Sequence, residues 1–224
     1  MVPFPPSALS KQERDTLIAH ALDGALSPPS LLQLSLTPPL APSLEPPLTA
    51  APAAGSRTPS PARAGSYSPY SKFRVGACLL AEDGTFVKGA NVECASYGGA
   101  ICAERTAIVK GVSEGKRKYK GLAVTSDVNA VISPCGICRQ VLREFCPLNM
   151  PILLIPSSYD PSSPSSTRVL TAPEAEGKDT TGALVETTMG EILPLSFGPE
   201  DLDKPRDPPA SSSSAAVAGG PHGA

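Results

Sequence analysis

Residues Cys102 to Ile155 read CAERTAIVK GVSEGKRKYK GLAVTSDVNA VISPCGICRQ VLREFCPLNM PILLI. Helical segments alternate here with short apolar runs. Cys102–Gly111 has the periodicity of a helix and stops at a glycine. Pro134–Phe145 is a second helix, with proline in its first turn. Gly121–Ser126 and Pro151–Ile155 are strands, each rich in aliphatic side chains. Helix, strand, helix, strand in this order argues for a sheet covered by helices, the α/β class.

The pattern extends in both directions. Val75–Leu80 (VGACLL) is a strand, Asp83-Gly84 a turn, and Thr85–Val92 the returning strand. A further strand is expected near Leu184–Val185, followed by a last short segment over Ile192–Leu195. Near the start, Leu17, Ile18, Ala21, Leu22 and Ala25 recur at helical spacing within Lys11–Leu26, and Ser10 with Glu13 fits a capping box.

Composition limits how much of the chain can share this core. The chain has 224 residues and 27 prolines, about 12% where about 5% is usual. Aromatics are 4% and tryptophan is absent. Ser27–Gly65 carries ten of the prolines, which break its leucines before a helix can complete. The expected organisation is an N-terminal segment with the first helix at 1–26 and a proline-rich disordered insert at 27–65. A core follows at 66–156, then a Ser/Thr/Pro-rich insert at 157–180, a C-terminal strand and final segment at 181–203, and a disordered tail at 204–224.

Charge and cysteines narrow the function. Lys+Arg number 19 against 21 Asp+Glu, a formal net charge of −2, which excludes a broad basic face for nucleic acid. The one basic cluster, Lys116-Arg117-Lys118 with Lys120, lacks an aromatic ladder. No apolar run reaches the roughly 20 residues of a membrane span. The first residues show no basic region followed by an apolar stretch, so no secretory signal is expected. Six cysteines in such a chain suit a reducing compartment, as metal ligands, catalytic thiols or core residues. The expected location is cytoplasmic, with nuclear access open.

Three of those cysteines stand at helix starts: Cys102 in Cys102-Ala103-Glu104, and Cys135 and Cys138 in Pro134-Cys135-Gly136-Ile137-Cys138. Positions three apart in a helix share a face, so Cys135 and Cys138 can grip one ion. The helix dipole favours thiolate, and thiolates in a tetrahedral set select zinc. Three protein ligands leave an open vertex, the mark of a catalytic site. Glu104 is placed to lean over that vertex and move protons of a water whose pKa zinc lowers to about 7. This suits hydrolytic deamination of an amidine carbon. Cys-x-Glu followed about 30 residues later by Pro-Cys-x-x-Cys is the three-cysteine form of the zinc-deaminase arrangement. A thioredoxin-type pair at Cys135–Cys138 would leave Cys102 and Glu104 idle. A structural site would need a fourth ligand, and Cys146, followed by Pro147, fits poorly. Cys78 reads as a core cysteine, and Cys94 and Cys146 as buried or boundary thiols without a role.

The sequence resembles the small, homotetrameric, zinc-dependent cytidine deaminases. The likeness rests on Tyr67-Ser-Pro-Tyr-Ser-Lys-Phe-Arg-Val-Gly-Ala77, Gly89-Ala-Asn-Val-Glu93, Ile101-Cys-Ala-Glu-Arg-Thr-Ala107, Ser133-Pro-Cys-Gly-Ile-Cys-Arg-Gln140 and Met189-Gly-Glu-Ile-Leu-Pro-Leu-Ser-Phe-Gly-Pro199. It implies a three-layer α/β/α fold with a mixed sheet of about five strands and helices on both faces. It implies one Zn²⁺ per chain on Cys102, Cys135 and Cys138, with Glu104 as proton shuttle. Phe73 would pack beside the pyrimidine, Asn91 and Glu93 would hold the ribose, and Ala103 would bond the base through its backbone. Tyr97 and Phe197 would complete the pocket from neighbouring subunits of a homotetramer. Two departures stand out: Cys94, where Asn is common, and Gly98-Gly99-Ala100 ahead of the zinc helix.

The residues add their own constraints. Three thiolates on Zn²⁺ leave a net negative site, and Arg105 can offset part of that charge by bonding a sulfur; Arg139 ranks second for this role. A carboxylate at Glu93 accepts from a sugar hydroxyl and repels phosphate, which favours a free nucleoside over a polynucleotide. The expected activity is deamination of cytidine and 2′-deoxycytidine in pyrimidine salvage. The alternatives are a related aminopyrimidine nucleoside, such as a nucleoside antibiotic, and a catalytically weak scaffold presenting its proline-rich segment.

Overall fold

The computed structural model describes residues 9–22, 62–160 and 168–206. Most of the proline-rich stretch and most of the tail lie outside the described residues. The first helix, α1 (Lys11–Ala21), begins at a complete capping box: the Ser10 side chain accepts from the Glu13 N–H, and the Glu13 carboxylate accepts from the Ser10 N–H. Leu17, Ile18 and Ala21 form its buried stripe.

The sheet has six strands, β1 (Val75–Ala81), β2 (Phe86–Ala90), β3 (Tyr119–Ser126), β4 (Pro151–Ile155), β5 (Val169–Thr171) and β6 (Leu184–Thr188), in the order β2-β1-β3-β4-β6-β5. β1 pairs antiparallel with β2 and with β3, while β3 and β4 run parallel. β4 and β6 are antiparallel, and β5 and β6 parallel, so the sheet is mixed. The β1–β2 hairpin turns at Gly84, whose φ of 87° is open to glycine without strain.

The remaining helices are α2 (Ala103–Ser113), α3 (Gly136–Phe145) and two single turns, α4 (Ala172–Ala175) and α5 (Met189–Ile192). Strand side chains alternate between two cores. Ala77, Leu79, Leu122, Val124, Ile152 and Leu154 point to one face, where Ala103, Ala107, Ile108 and Leu142 of α2 and α3 cover them. Cys78, Leu80, Ala123, Leu153 and Ile155 point to the other, covered by Leu17, Ile18 and Ala21 of α1. This is a three-layer α/β/α arrangement. Among the described residues, no helix is long and apolar enough to cross a membrane.

Three details differ from expectation. The sheet has a sixth strand, because β5 and α4 occupy part of the stretch read from its Ser, Thr and Pro content as an insert. β5 is a short edge strand with largely exposed residues, so it carries little apolar signal. Ala62–Gly65, assigned by composition to the end of the disordered insert, form a 3-10 turn. Ala62 is buried, and a Cβ at Gly76 would stand 2.6 Å from the Arg63 nitrogen, so this turn lies directly on β1. Lastly, regular pairing in the second strand ends at Ala90; beyond it only Val92 bridges, to Tyr67 and Ile101.

Candidate active site

The site forms where α2 and α3 begin. Cys102 is the N-cap residue of α2 and Cys135 that of α3, both in extended backbone conformation. Cys138 follows in the first turn of α3 and is buried. Their Sγ atoms converge: Cys102 to Cys135 is 3.9 Å, Cys135 to Cys138 is 3.5 Å, and all three lie within 4.8 Å of one another. Among the described residues this is the one cluster of Cys, His, Asp or Glu side chains so arranged. Zn–S bonds of about 2.3 Å at tetrahedral angles require sulfurs about 3.8 Å apart. The donor set therefore matches zinc in spacing and in chemistry, and it leaves one vertex free.

β2 sets the position of α2. A Cβ at Gly89 would fall 2.4 Å from both the Ala103 oxygen and the Ala107 nitrogen. The first turn of the helix rests on bare backbone there, which brings Cys102 and Glu104 close to the sheet end.

Glu104 is 4% exposed. Burial raises its carboxyl above the ordinary range, while a hydrogen bond with the Cys138 thiol and the charge of Arg105 act in the opposite sense. The Cys138 thiol is also raised, by burial and then by the charges of Glu104 and Cys102. Burial raises Cys135 too, but hydrogen bonds from the Cys138 N–H and the two neighbouring thiols outweigh it and lower this thiol. Arg105 Nη2 donates to Cys102 Sγ at 3.8 Å. Arg139 does not serve the sulfurs. It donates to the carbonyls of Pro134 at 2.6 Å and Ile192 at 2.8 Å and to Ser133 Oγ at 3.0 Å, bracing the loop before α3.

Beside the cluster lies a pocket of about 330 Å³ lined by Tyr70, Ser71, Glu93, Cys94, Tyr97 and Ala100. Glu93 and Tyr97 were expected in the pocket, and Cys94 and Ala100 belong to the two departures noted in the sequence; Tyr70 and Ser71 carried no expected role. Cys94 therefore faces open space as a partly exposed thiol, whereas Cys78 and Cys146 are buried, their thiols pushed up to about 12 by burial. Glu104 and the three sulfurs do not line this pocket; Ala100, two residues before Cys102, is its nearest lining residue in the sequence.

Asn91 is engaged within the chain. Its Nδ2 donates to the Phe73 carbonyl at 2.9 Å, and its Oδ1 accepts from the Val75 N–H at 2.8 Å and from Ser66 Oγ at 2.6 Å. Ala103, at the start of α2, is fully buried. Phe197 is not in the pocket of its own chain. The residue is 58% exposed, while its carbonyl accepts from Gln140 Nε2 at 2.9 Å.

A sulfur triad at two helix N-termini with a buried carboxyl alongside defines a zinc hydrolase site. Residues 59–153 match the family described as "Cytidine and deoxycytidylate deaminase zinc-binding region". The chain is 44% identical over 141 residues to a cytidine deaminase of Sporosarcina psychrophila, covering 63% of this chain and 87% of that one. It is 40% identical over 142 residues to a cytidine deaminase of Halalkalibacterium halodurans, covering 63% and 90%. A crystal structure of a cytidine deaminase from Burkholderia pseudomallei aligns at 34% identity and a TM-score of 0.48, over 61% of this chain and 91% of that one. The chain belongs to the cytidine deaminase family, and its cofactor is zinc.

Proposed function

We infer that this protein hydrolyses cytidine and 2′-deoxycytidine to uridine and 2′-deoxyuridine, releasing ammonia, as a step of pyrimidine salvage. The observation that carries this reading is the pairing of the Cys102–Cys135–Cys138 sulfurs with a buried Glu104, two residues beyond Cys102 and hydrogen-bonded with the Cys138 thiol. Zinc held by those sulfurs would supply Lewis-acid activation of a water molecule.

Glu104 does the proton work. As carboxylate it takes a proton from the attacking water and gives it to ring nitrogen N3 as the water oxygen bonds to C4. It then takes the remaining hydroxyl proton and passes it to the exocyclic amine. The C4–N4 bond breaks and ammonia leaves, so one water and one cytidine give one uridine and one ammonia. Burial raises this carboxyl above its ordinary range, the direction that suits a group which both takes and returns protons. Arg105 offsets the sulfur charge from the side of Cys102.

Phe73 would wall the base, with the Ala103 backbone bonding it. Glu93 would accept a ribose hydroxyl, aided by the remaining donor of Asn91. Tyr97 and Phe197, both exposed in the single chain, would close pockets across the subunits of a homotetramer. Six thiols with no disulfide among the described residues fit action in the cytoplasm. The test is to follow cytidine absorbance with purified, zinc-loaded protein and to measure uridine and ammonia. Equimolar products are expected; no turnover would contradict the reading.

A further inference from the structure

The segment from Ser66 to Val75 is laced onto the segment from Asn91 to Glu93. Asn91 ties down its ends through Ser66, Phe73 and Val75. Glu93 ties down its middle: its Oε2 accepts from the backbone N–H groups of Tyr70 at 3.0 Å and Ser71 at 3.1 Å. The Ser71 hydroxyl donates to Glu93 Oε1 and accepts from the Phe73 N–H at 3.0 Å. Lys72 stands between them with a left-handed φ of 58°, a sharp turn that brings Ser71 Oγ back under Phe73. Ser71 and Glu93 both line the pocket.

One hydroxyl thus joins two groups that would otherwise be independent, the Glu93 carboxylate and the backbone of Phe73. We propose that Ser71 is a positioning residue for nucleoside recognition. Its hydroxyl fixes the Glu93 carboxylate so that Oε1 faces the sugar, and it links that carboxylate to the residue carrying the ring that walls the base. The proposal rests on the nucleoside reading above. A carboxylate oxygen accepts two hydrogen bonds. Ser71 takes one at Oε1 and leaves the second for a sugar hydroxyl, while Oε2 is filled by backbone N–H groups. The Ser71 bond is also the leading influence holding the Glu93 carboxyl below its usual range, so it stays an acceptor. A ligand without the 2′ and 3′ hydroxyls gains nothing from this arrangement.

The experiment measures uridine and 2′,3′-dideoxyuridine affinity by calorimetry on zinc-loaded wild type, Ser71→Ala and Ser71→Thr. Thermal unfolding and zinc content serve as checks on folding. Ser71→Ala should weaken uridine about 10-fold, the scale of one charge-assisted hydrogen bond. Dideoxyuridine should change less than about 2-fold, and Ser71→Thr should recover most of the uridine affinity. If Ser71→Ala fails to fold, Ser71→Cys, which keeps the shape and weakens the donor, should show the same split. Unchanged uridine affinity, equal weakening of both ligands, or no recovery with threonine overturns the role of Ser71. Wild type that binds no uridine overturns the nucleoside reading itself, and this inference with it.

Discussion

The Sγ atoms of Cys102 and Cys135 stand 3.9 Å apart although 33 residues separate them. Each caps the N-terminus of its own helix, and the two helices pack on the same face of the sheet. The fold therefore holds the two thiols together at the N-termini of two helices, where one metal ion can take both. Single replacements of Cys102, Cys135 or Cys138 by Ala should each reduce zinc from one per chain to a small residue. Metal analysis of the purified variants checks this, and one zinc per chain in all three would refute the ligand set.

The contact of Gly89 with α2 gives a second prediction. Gly89→Ala places a methyl 2.4 Å from the Ala103 oxygen and the Ala107 nitrogen. Both are backbone atoms of the zinc helix, so the helix must move. A loss of about 1–3 kcal/mol is expected from overpacking, with a lower zinc affinity. Chemical denaturation and metal titration measure the two effects; a variant with wild-type values in both would show that α2 does not rest on β2.

Glu13 connects α1 to the sheet, since it completes the cap at Ser10 and pairs with Lys120 of β3 at 2.6 Å. Hydrogen bonds from Lys120 and then Ser10 hold its carboxyl near 2, against an ordinary 4.5. The lowered carboxyl contributes stability that is complete above about pH 4.5 and is lost as pH falls toward 2. Both partners are about one-third exposed, so cap and pair together are worth about 1 kcal/mol. Glu13→Ala should lose that amount at pH 7 and flatten the acid side of the stability profile between these values. An unchanged slope would contradict the assignment.

Several features were legible in the sequence because local chemistry determines them. The Ser10–Glu13 box needs only spacing, and the strands show in their alternating aliphatics. The cysteine cluster needs only two helix starts on one sheet face. Other features depend on contacts between distant segments. β5 has three residues and a largely exposed pattern, so pairing with β6 defines it rather than its composition. The turn at Ala62–Gly65 is held by its seat on β1, beside prolines that suggested disorder. Arg139 and Arg105 each lie close to a cluster cysteine in the sequence, and only the geometry separates the loop brace from the sulfur partner.

Phe197 tests the assembly. Its carbonyl and its neighbour Ser196 are held by Gln140 and Arg143 of α3, while the residue is largely exposed. If the ring closes a neighbour's pocket, Phe197→Ala should raise KM and weaken the tetramer without loss of zinc. Mixing it with Glu104→Gln under conditions of subunit exchange should restore activity, since some pockets then combine an intact Glu104 with an intact Phe197. No gain over the separate parents would rule out shared pockets.

If Glu104 moves the protons of a zinc-dependent hydrolysis, turnover depends on its carboxyl while zinc binding does not. The most direct test compares cytidine turnover by wild type and Glu104→Gln, each with zinc measured in the same preparation. General acid–base catalysis alone is worth about 10²–10⁴ in rate, and here one carboxyl serves several transfers. Both proteins should hold one zinc per chain, and the variant's rate should be at least about 100-fold lower. A zinc-replete variant that keeps more than about a tenth of the wild-type rate would contradict this role of Glu104.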